Sequence, residues 1–185
     1  MGIFLFGENV IISESEIVDI QELSSAKLKY GATWIEHMKI TICASIAFID
    51  EMSALKQQLE QMGHEVKMPP LTVPNEQGKE IPVKEYYTIR KNAKDSEKWV
   101  WDLKAKAMRT HYEKIEWADS IIVLNQTKNN VMNYVGANTL VEMGIAFFLN
   151  KPIYFMHPIP EQSSKEEILG MKPIILNENL NILPS

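Results

Sequence analysis

Apolar positions along this chain switch repeatedly between strand-like runs and helical spacing. "KITICASI", residues 39–46, reads as a buried strand, and Met52, Leu55, Leu59 and Met62 then predict a helix over about 50–62, stopped by Gly63. "HEVKM" predicts a short strand. The next stretch, "PPLTVPNEQGKEIP" at 69–82, holds four prolines and one glycine and reads as a long loop. Trp101, Ala105, Met108, Tyr112 and Ile115 form one stripe on a long helix over 95–118, a stripe expected to face the core. "DSIIVLN" is an unbroken apolar run, as in a parallel strand covered on both faces. A helix with apolar residues from Leu140 through Leu149 follows, then a strand "PIYFM", a short helix around "SKEEILGM" and a last strand "PIILN".

Five strands alternating with helices predict an α/β fold: a flavodoxin-like, doubly wound, five-stranded parallel sheet with helices on both faces. The first residues stand outside this rhythm. We read 1–37 as an N-terminal extension, with "EIVDIQELSSAKLKY" as a candidate docked helix, and 38–185 as the α/β domain.

Composition narrows the partners. The 185 residues are 45% hydrophobic and 23% charged, with net charge −5, so no global positive field exists to draw in a nucleic-acid polymer or an acidic membrane surface. Nothing approaches the roughly 20 apolar residues of a membrane-spanning helix, and "MGIFLFGENVII" lacks the basic start of a secretory signal. With one cysteine, Cys43, in an apolar run, no intrachain disulfide or cysteine zinc cluster forms, and a cytoplasmic location is expected. One region departs from the acidic average. Lys84 to Lys114 carries nine Lys or Arg against five Asp or Glu, read either as a solvated helix face or as a funnel for a small phosphorylated ligand.

Glu142 is the lone carboxylate in the apolar helix. Two readings compete for it. "TLVE" matches a capping box, with Thr139 as N-cap and Glu142 returning to its amide, worth about 0.5–2 kcal/mol. Alternatively, a carboxylate near helix N-terminal amides stays ionised and serves as a nucleophile or cation stabiliser. The preceding "NQTKNNVMNYVGAN" is polar, as a loop crossing the strand ends at a ligand site should be.

"EWADSIIVLN", a polar loop, and "TLVEMGIAFFLNKPIYFM" with its E-x-G-x-A and K-P resemble the nucleoside 2-deoxyribosyltransferase family, and "ICASIAF" resembles that family's first strand and nucleotide-contacting turn. The resemblance covers 39 to about 157. It implies cleavage or transfer at the N-glycosidic bond of a nucleoside or deoxynucleotide, with Glu142 attacking C1′ and a second base or water reclaiming the sugar. It also implies a ligand shell including Ser45, Asn125, Gly136, Asn138 and Thr139, no metal or organic cofactor, and a homodimer or larger homo-oligomer. Three positions depart from the family pattern. His111 stands where an aspartate is usual, Gly136 where an acid or serine is common, and Asn138 in place of a glycine.

His111 is read as a half-buried boundary residue or as an acid/base group for the departing base. Ser45 and Asn125 end strands, either holding the ligand or closing local turns. Tyr86, Tyr87, Trp99 and Trp101 either stack on a base or belong to the core. His37, His64, His111 and His157 lack HExxH-type spacing, so no zinc site is expected; no P-loop or GxGxxG appears. Two other functions remain open: a non-catalytic nucleotide-binding or sensing module, and a hydrolase of another ribosyl compound such as NAD.

Overall fold

A computed structural model describes residues 37–184 in full and, before them, the backbone of 3–6, 10–13 and 33–35. Those three short segments, β1 (Ile3–Phe6), β2 (Val10–Ser13) and β3 (Thr33–Ile35), form an antiparallel sheet in the order β2-β1-β3. The helix expected over "EIVDIQELSSAKLKY" lies outside the described residues.

From Lys39 onward the chain follows the α/β rhythm. Strand β4 (Lys39–Cys43) leads through a 3₁₀ turn (Ile46–Phe48) into helix α1 (Ile49–Gln61), and β5 is Glu65–Lys67. Then come β6 (Thr72–Pro74), β7 (Glu80–Pro82), α2 (Val83–Asn92) and α3 (Lys98–Trp117). Strand β8 (Ser120–Val123), α4 (Ala137–Phe148), β9 (Ile153–Phe155), α5 (Lys165–Gly170) and β10 (Ile174–Ile175) complete it. The five parallel strands run in the order β10-β9-β8-β4-β5. Numbered within this sheet, that is 2-1-3-4-5, the flavodoxin-like order, and the chain reverses direction across the sheet between β4 and β8. The fold class expected from the hydrophobic pattern is therefore the one observed.

Both faces of the sheet are covered. Alternate residues of β4 divide between them: Ile40 and Ile42 meet Met52, Leu55 and Leu59 of α1, while Cys43 joins Ile121, Val123, Ile115, Met143 and Ala146 on the side of α3 and α4. The strand starts are clamped by Asp119, whose carboxylate accepts from the Lys39 amide at 2.8 Å while its own amide donates to the Lys39 carbonyl at 2.7 Å. Lys151, ahead of β9, donates to the Ile115 carbonyl at 2.8 Å and to those of Glu116 and Ala118, closing the end of α3.

Three expectations need correction. Residues 69–82 are not a structureless loop: β6 and β7 pair as a hairpin turned by Asn75, which accepts through Oδ1 from the amides of Gln77 and Lys79, with Gly78 at φ +76°. The stripe expected to bury α3 reaches the core only at its C-terminal end, with Met108 and Tyr112 half-buried and Ile115 fully buried. Trp101 and Ala105 are exposed, and the buried positions are Val100, His111 and Ile115. Trp101 instead donates its indole N–H to the Lys94 carbonyl at 3.0 Å, holding the helix start at the surface. Finally, α4 begins three residues earlier than a Thr139 cap requires. Its N-cap is Gly136, so no capping box forms and Glu142 sits in the second turn.

Candidate functional site

In a sheet of this order, ligands bind beyond the carboxyl ends of the strands at the point of reversal, here the ends of β4 and β8. After β4 come Ala44 and Ser45; after β8 come Leu124, Asn125 and the polar loop to Gly136. Helix α4 starts there, and α3 runs beside it.

Three buried side chains from three elements meet below this end. Cys43 Sγ of β4 lies 3.5 Å from His111 Nε2 of α3, and that nitrogen lies 3.8 Å from Glu142 Oε2 of α4. His111 is 6% exposed and Glu142 3%, so the half-buried boundary position expected for His111 is replaced by a fully buried one. Asn138, one turn before Glu142, donates through Nδ2 to Glu142 Oε1, and its Oδ1 accepts from Lys104 Nζ at 2.6 Å. Among the described residues, Glu142 Oε2 and His111 Nδ1 have no hydrogen-bond partner.

Burial governs the charges. It raises the Glu142 pKa to about 8, against the nearby Lys104 charge and the neighbouring Cys43 thiol and Asn138 amide, which pull it down. The carboxyl therefore keeps its proton at neutral pH, contrary to the ionised group expected from the sequence. Burial, with Lys114 and Lys104 adding like charge, lowers His111 to about 3. Its ring is neutral, and the proton-donor role expected of it finds no support in that state. Burial and the adjoining Glu142 push the Cys43 thiol well up. Lys104 falls to about 8 through burial and the Arg90 charge, opposed by Glu142.

Two residues along from Cys43, Ser45 opens a second group. Its hydroxyl accepts from Lys128 Nζ at 2.6 Å and caps the 3₁₀ turn through the Ala47 amide at 3.4 Å. Lys128 Nζ also donates to Tyr87 OH at 3.0 Å and lies over the rings of Tyr87, Tyr134 and Phe48 at 5.1, 5.5 and 6.0 Å. Three aromatic faces thus surround one cation at the switch point. Tyr134 rests on Gly136, where an added Cβ would come within 3.3 Å of the ring. Arg90 and Lys91 flank Tyr87 at 5.3 and 5.6 Å.

The sequence-derived residues fare differently. Ser45, Gly136, Asn138 and Glu142 lie around this strand end, with Thr139 buried in the first turn of α4. Asn125 is fully buried and engaged elsewhere: its amide donates to the carbonyls of His157 and Pro158 at 3.0 Å each and accepts from the His157 amide at 2.9 Å, tying β8 to the segment after β9. Tyr86 belongs to the core, its hydroxyl bonded to the Val100 carbonyl at 2.7 Å. Cys43, Lys104, Lys128 and Tyr134 were missed. The signal for Cys43 was its position two residues before Ser45 on a strand whose alternate side chains face opposite sides. A cleft of about 340 Å³ between the hairpin and α3, lined by Pro74, Asn75, Glu76, Trp99, Asp102 and Leu103, is separate from these residues.

No protein-family model and no curated protein matches the chain. Among solved structures it is similar to a 2-deoxyribosyltransferase from the psychrotolerant bacterium Bacillus psychrosaccharolyticus, described as a biocatalyst for nucleoside synthesis. The identity is 18% and the TM-score 0.38, over 63% of this chain and 69% of that one.

Proposed function

We propose that this chain cleaves or transfers at the N-glycosidic bond of a nucleoside or deoxynucleotide, with Glu142 as the attacking carboxylate. One observation carries the reading: a buried carboxylate, held by Asn138, lies against Cys43 at the end of β4, and two residues further along Ser45 joins the Lys128 cation set over the rings of Tyr87 and Tyr134. Tyr87, Tyr134 and Phe48 suit the faces of a base, with Lys128 giving way as it enters. Lys104, Arg90, Lys91 and Lys128 suit a 5′-phosphate.

Positive charge developing at C1′ favours the ionised form of Glu142, so the carboxylate is most effective when the transition state needs it. Glu142 first gives its proton to solvent; the C1′–N bond then breaks as the carboxylate forms the C1′–O bond, and the base leaves with a proton from solvent. Water or a second base then displaces the glutamate.

A chromatographic assay for free base, run on deoxynucleosides and their monophosphates with and without an acceptor base, tests this. Release should fall at least about a thousandfold in Glu142→Gln, as for loss of a nucleophile. Unchanged release in that variant would remove Glu142 from the chemistry. An acceptor's effect would separate transferase from hydrolase, and ribosyl substrates, NAD among them, would define the sugar.

The burial of Glu142 favours a second reading, a nucleotide-binding module without turnover. It requires nucleotide binding by calorimetry that is equal in wild type and Glu142→Gln, with no base released by either.

A further inference from the structure

Cys43, His111 and Glu142 come from a strand and two different helices, yet their ligand atoms all lie within 4.8 Å of one another, and all three residues are buried. We propose that they form a site for one soft divalent transition-metal ion of the zinc class, held by the Cys43 thiolate, His111 Nε2 and Glu142 Oε2. This departs from the absence of a zinc site expected from histidine spacing. Spacing along one helix could not reveal it, because Cys43 and His111 are 68 positions apart.

The distances fit. A tetrahedral zinc centre with ordinary bond lengths keeps its sulfur and nitrogen about 3.6 Å apart and its nitrogen and oxygen about 3.4 Å apart. The Sγ to Nε2 separation is 3.5 Å and the Nε2 to Oε2 separation 3.8 Å, so rotation of the carboxylate closes the remainder. Glu142 Oε2 is aimed into the cluster and has no hydrogen-bond partner among the described residues, whereas Oε1 is taken by Asn138. An unpaired acceptor at that depth is costly, and a metal ion satisfies it.

The chemistry of the set selects the ion. Thiolate and imidazole favour zinc and its neighbours, and a site with a single carboxylate does not suit magnesium or calcium. Charge also balances: a dication with one thiolate and one carboxylate is neutral, so it can be buried where either anion alone could not. The thiol and carboxyl protons leave to solvent as the ion enters, and a fourth position remains for water or a ligand, the arrangement of open zinc sites.

A consequence follows that rests on the glycosyl reading above: an ion held by Glu142 removes the attacking lone pair and inhibits base release. The site itself does not depend on that reading.

Cobalt(II) substitution tests the site without reference to activity. Titration of the full chain with Co2+ should saturate at one ion, with a near-ultraviolet thiolate-to-cobalt band and intense visible bands of tetrahedral geometry. The band should vanish in Cys43→Ala, and the visible bands should collapse in His111→Ala. Glu142→Gln, which preserves shape, serves as a variant whose folding is not in doubt and should weaken binding at least tenfold. In parallel, Zn2+ at a hundredfold excess over its Kd should raise the wild-type melting midpoint by about 5–10 °C, and Mg2+ should not. A thiolate band that survives in Cys43→Ala, equal affinity in Glu142→Gln, or no equimolar binding would overturn the proposal. Cobalt binding by a chain whose metal-free form releases no base from any substrate would retain the site and refute the glycosyl reading instead.

Discussion

Glu142 holds its proton at neutral pH because burial outweighs the Lys104 charge and the neighbouring Cys43 thiol and Asn138 amide. The folded chain therefore keeps a proton between pH 4.5 and about 8 that the unfolded chain has released, and stability falls as pH rises through that window. His111 acts in the opposite sense. Its pKa drops from 6.5 to about 3, so the unfolded chain binds a proton the folded one refuses, and stability falls as pH drops through that range. Where the windows overlap, 4.5 to 6.5, the two slopes cancel. These groups alone predict a stability plateau there, with losses on both sides. Glu142→Gln abolishes the alkaline loss: its advantage over wild type should grow by about 2 kcal/mol between pH 5.5 and 7.5 in urea unfolding. A constant difference would mean that Glu142 is ionised in the folded chain throughout. In the catalytic reading, base release rises with pH toward 8, following the ionised carboxylate. A flat pH–rate profile across that range would exclude its ionisation as the controlling step.

At the scale of elements, Lys151 shows how a motif residue acts by closing a neighbouring helix. It donates to three carbonyls at the end of α3, and Lys151→Met should lower unfolding free energy by about 1–3 kcal/mol in urea titration. No change would mean that water satisfies those carbonyls equally well. The sequence made β4, β8, β9 and α1 legible because each is apolar at one consistent period. The hairpin at 72–82 was hidden by its prolines: Pro74 and Pro82 occupy the last positions of β6 and β7, in a two-stranded sheet whose outer edges need no ladder partner. For α3 the apolar pattern failed where the candidate site begins. Lys104 and His111 take inward positions, and Trp101 is used at the surface, so polarity and burial no longer coincide. The start of α4 was misread for a related reason, since Gly136 caps by backbone alone while Thr139 offered the more familiar side chain. Cations of α2 and α3 are only partly a solvated face. Lys84 pairs with Asp50 at 2.5 Å, but Lys104 turns to Asn138, and Arg90 and Lys91 flank Tyr87. If these receive a phosphate, monophosphates bind more tightly than nucleosides and the advantage shrinks as salt rises. Equal affinities at low salt would refute the funnel.

For the whole molecule, the five-stranded sheet and the cores on its two faces are built from residues between Met38 and Leu183. We propose that 1–37 is appended to a domain that folds without it, so a 38–185 fragment should unfold cooperatively within a few degrees of the full chain; a fragment lacking a cooperative transition would refute this. The surface of α4 argues for association. Its inner row is Thr139, Glu142, Met143 and Ala146, while Val141 and Phe148, one heptad apart, face outward with Phe148 82% exposed. Between them lies Gly144, where an added Cβ would meet nothing within the chain. A helix glycine with open space costs up to about 1 kcal/mol relative to alanine in an isolated chain, and we propose that a second copy approaches closely there. The expected state is a homodimer packed through α4. Sedimentation should give a dimer for wild type, a monomer for Phe148→Glu and a weakened dimer for Gly144→Ala. A wild-type monomer in which Gly144→Ala simply raises the melting midpoint would show that the glycine serves nothing beyond its own helix.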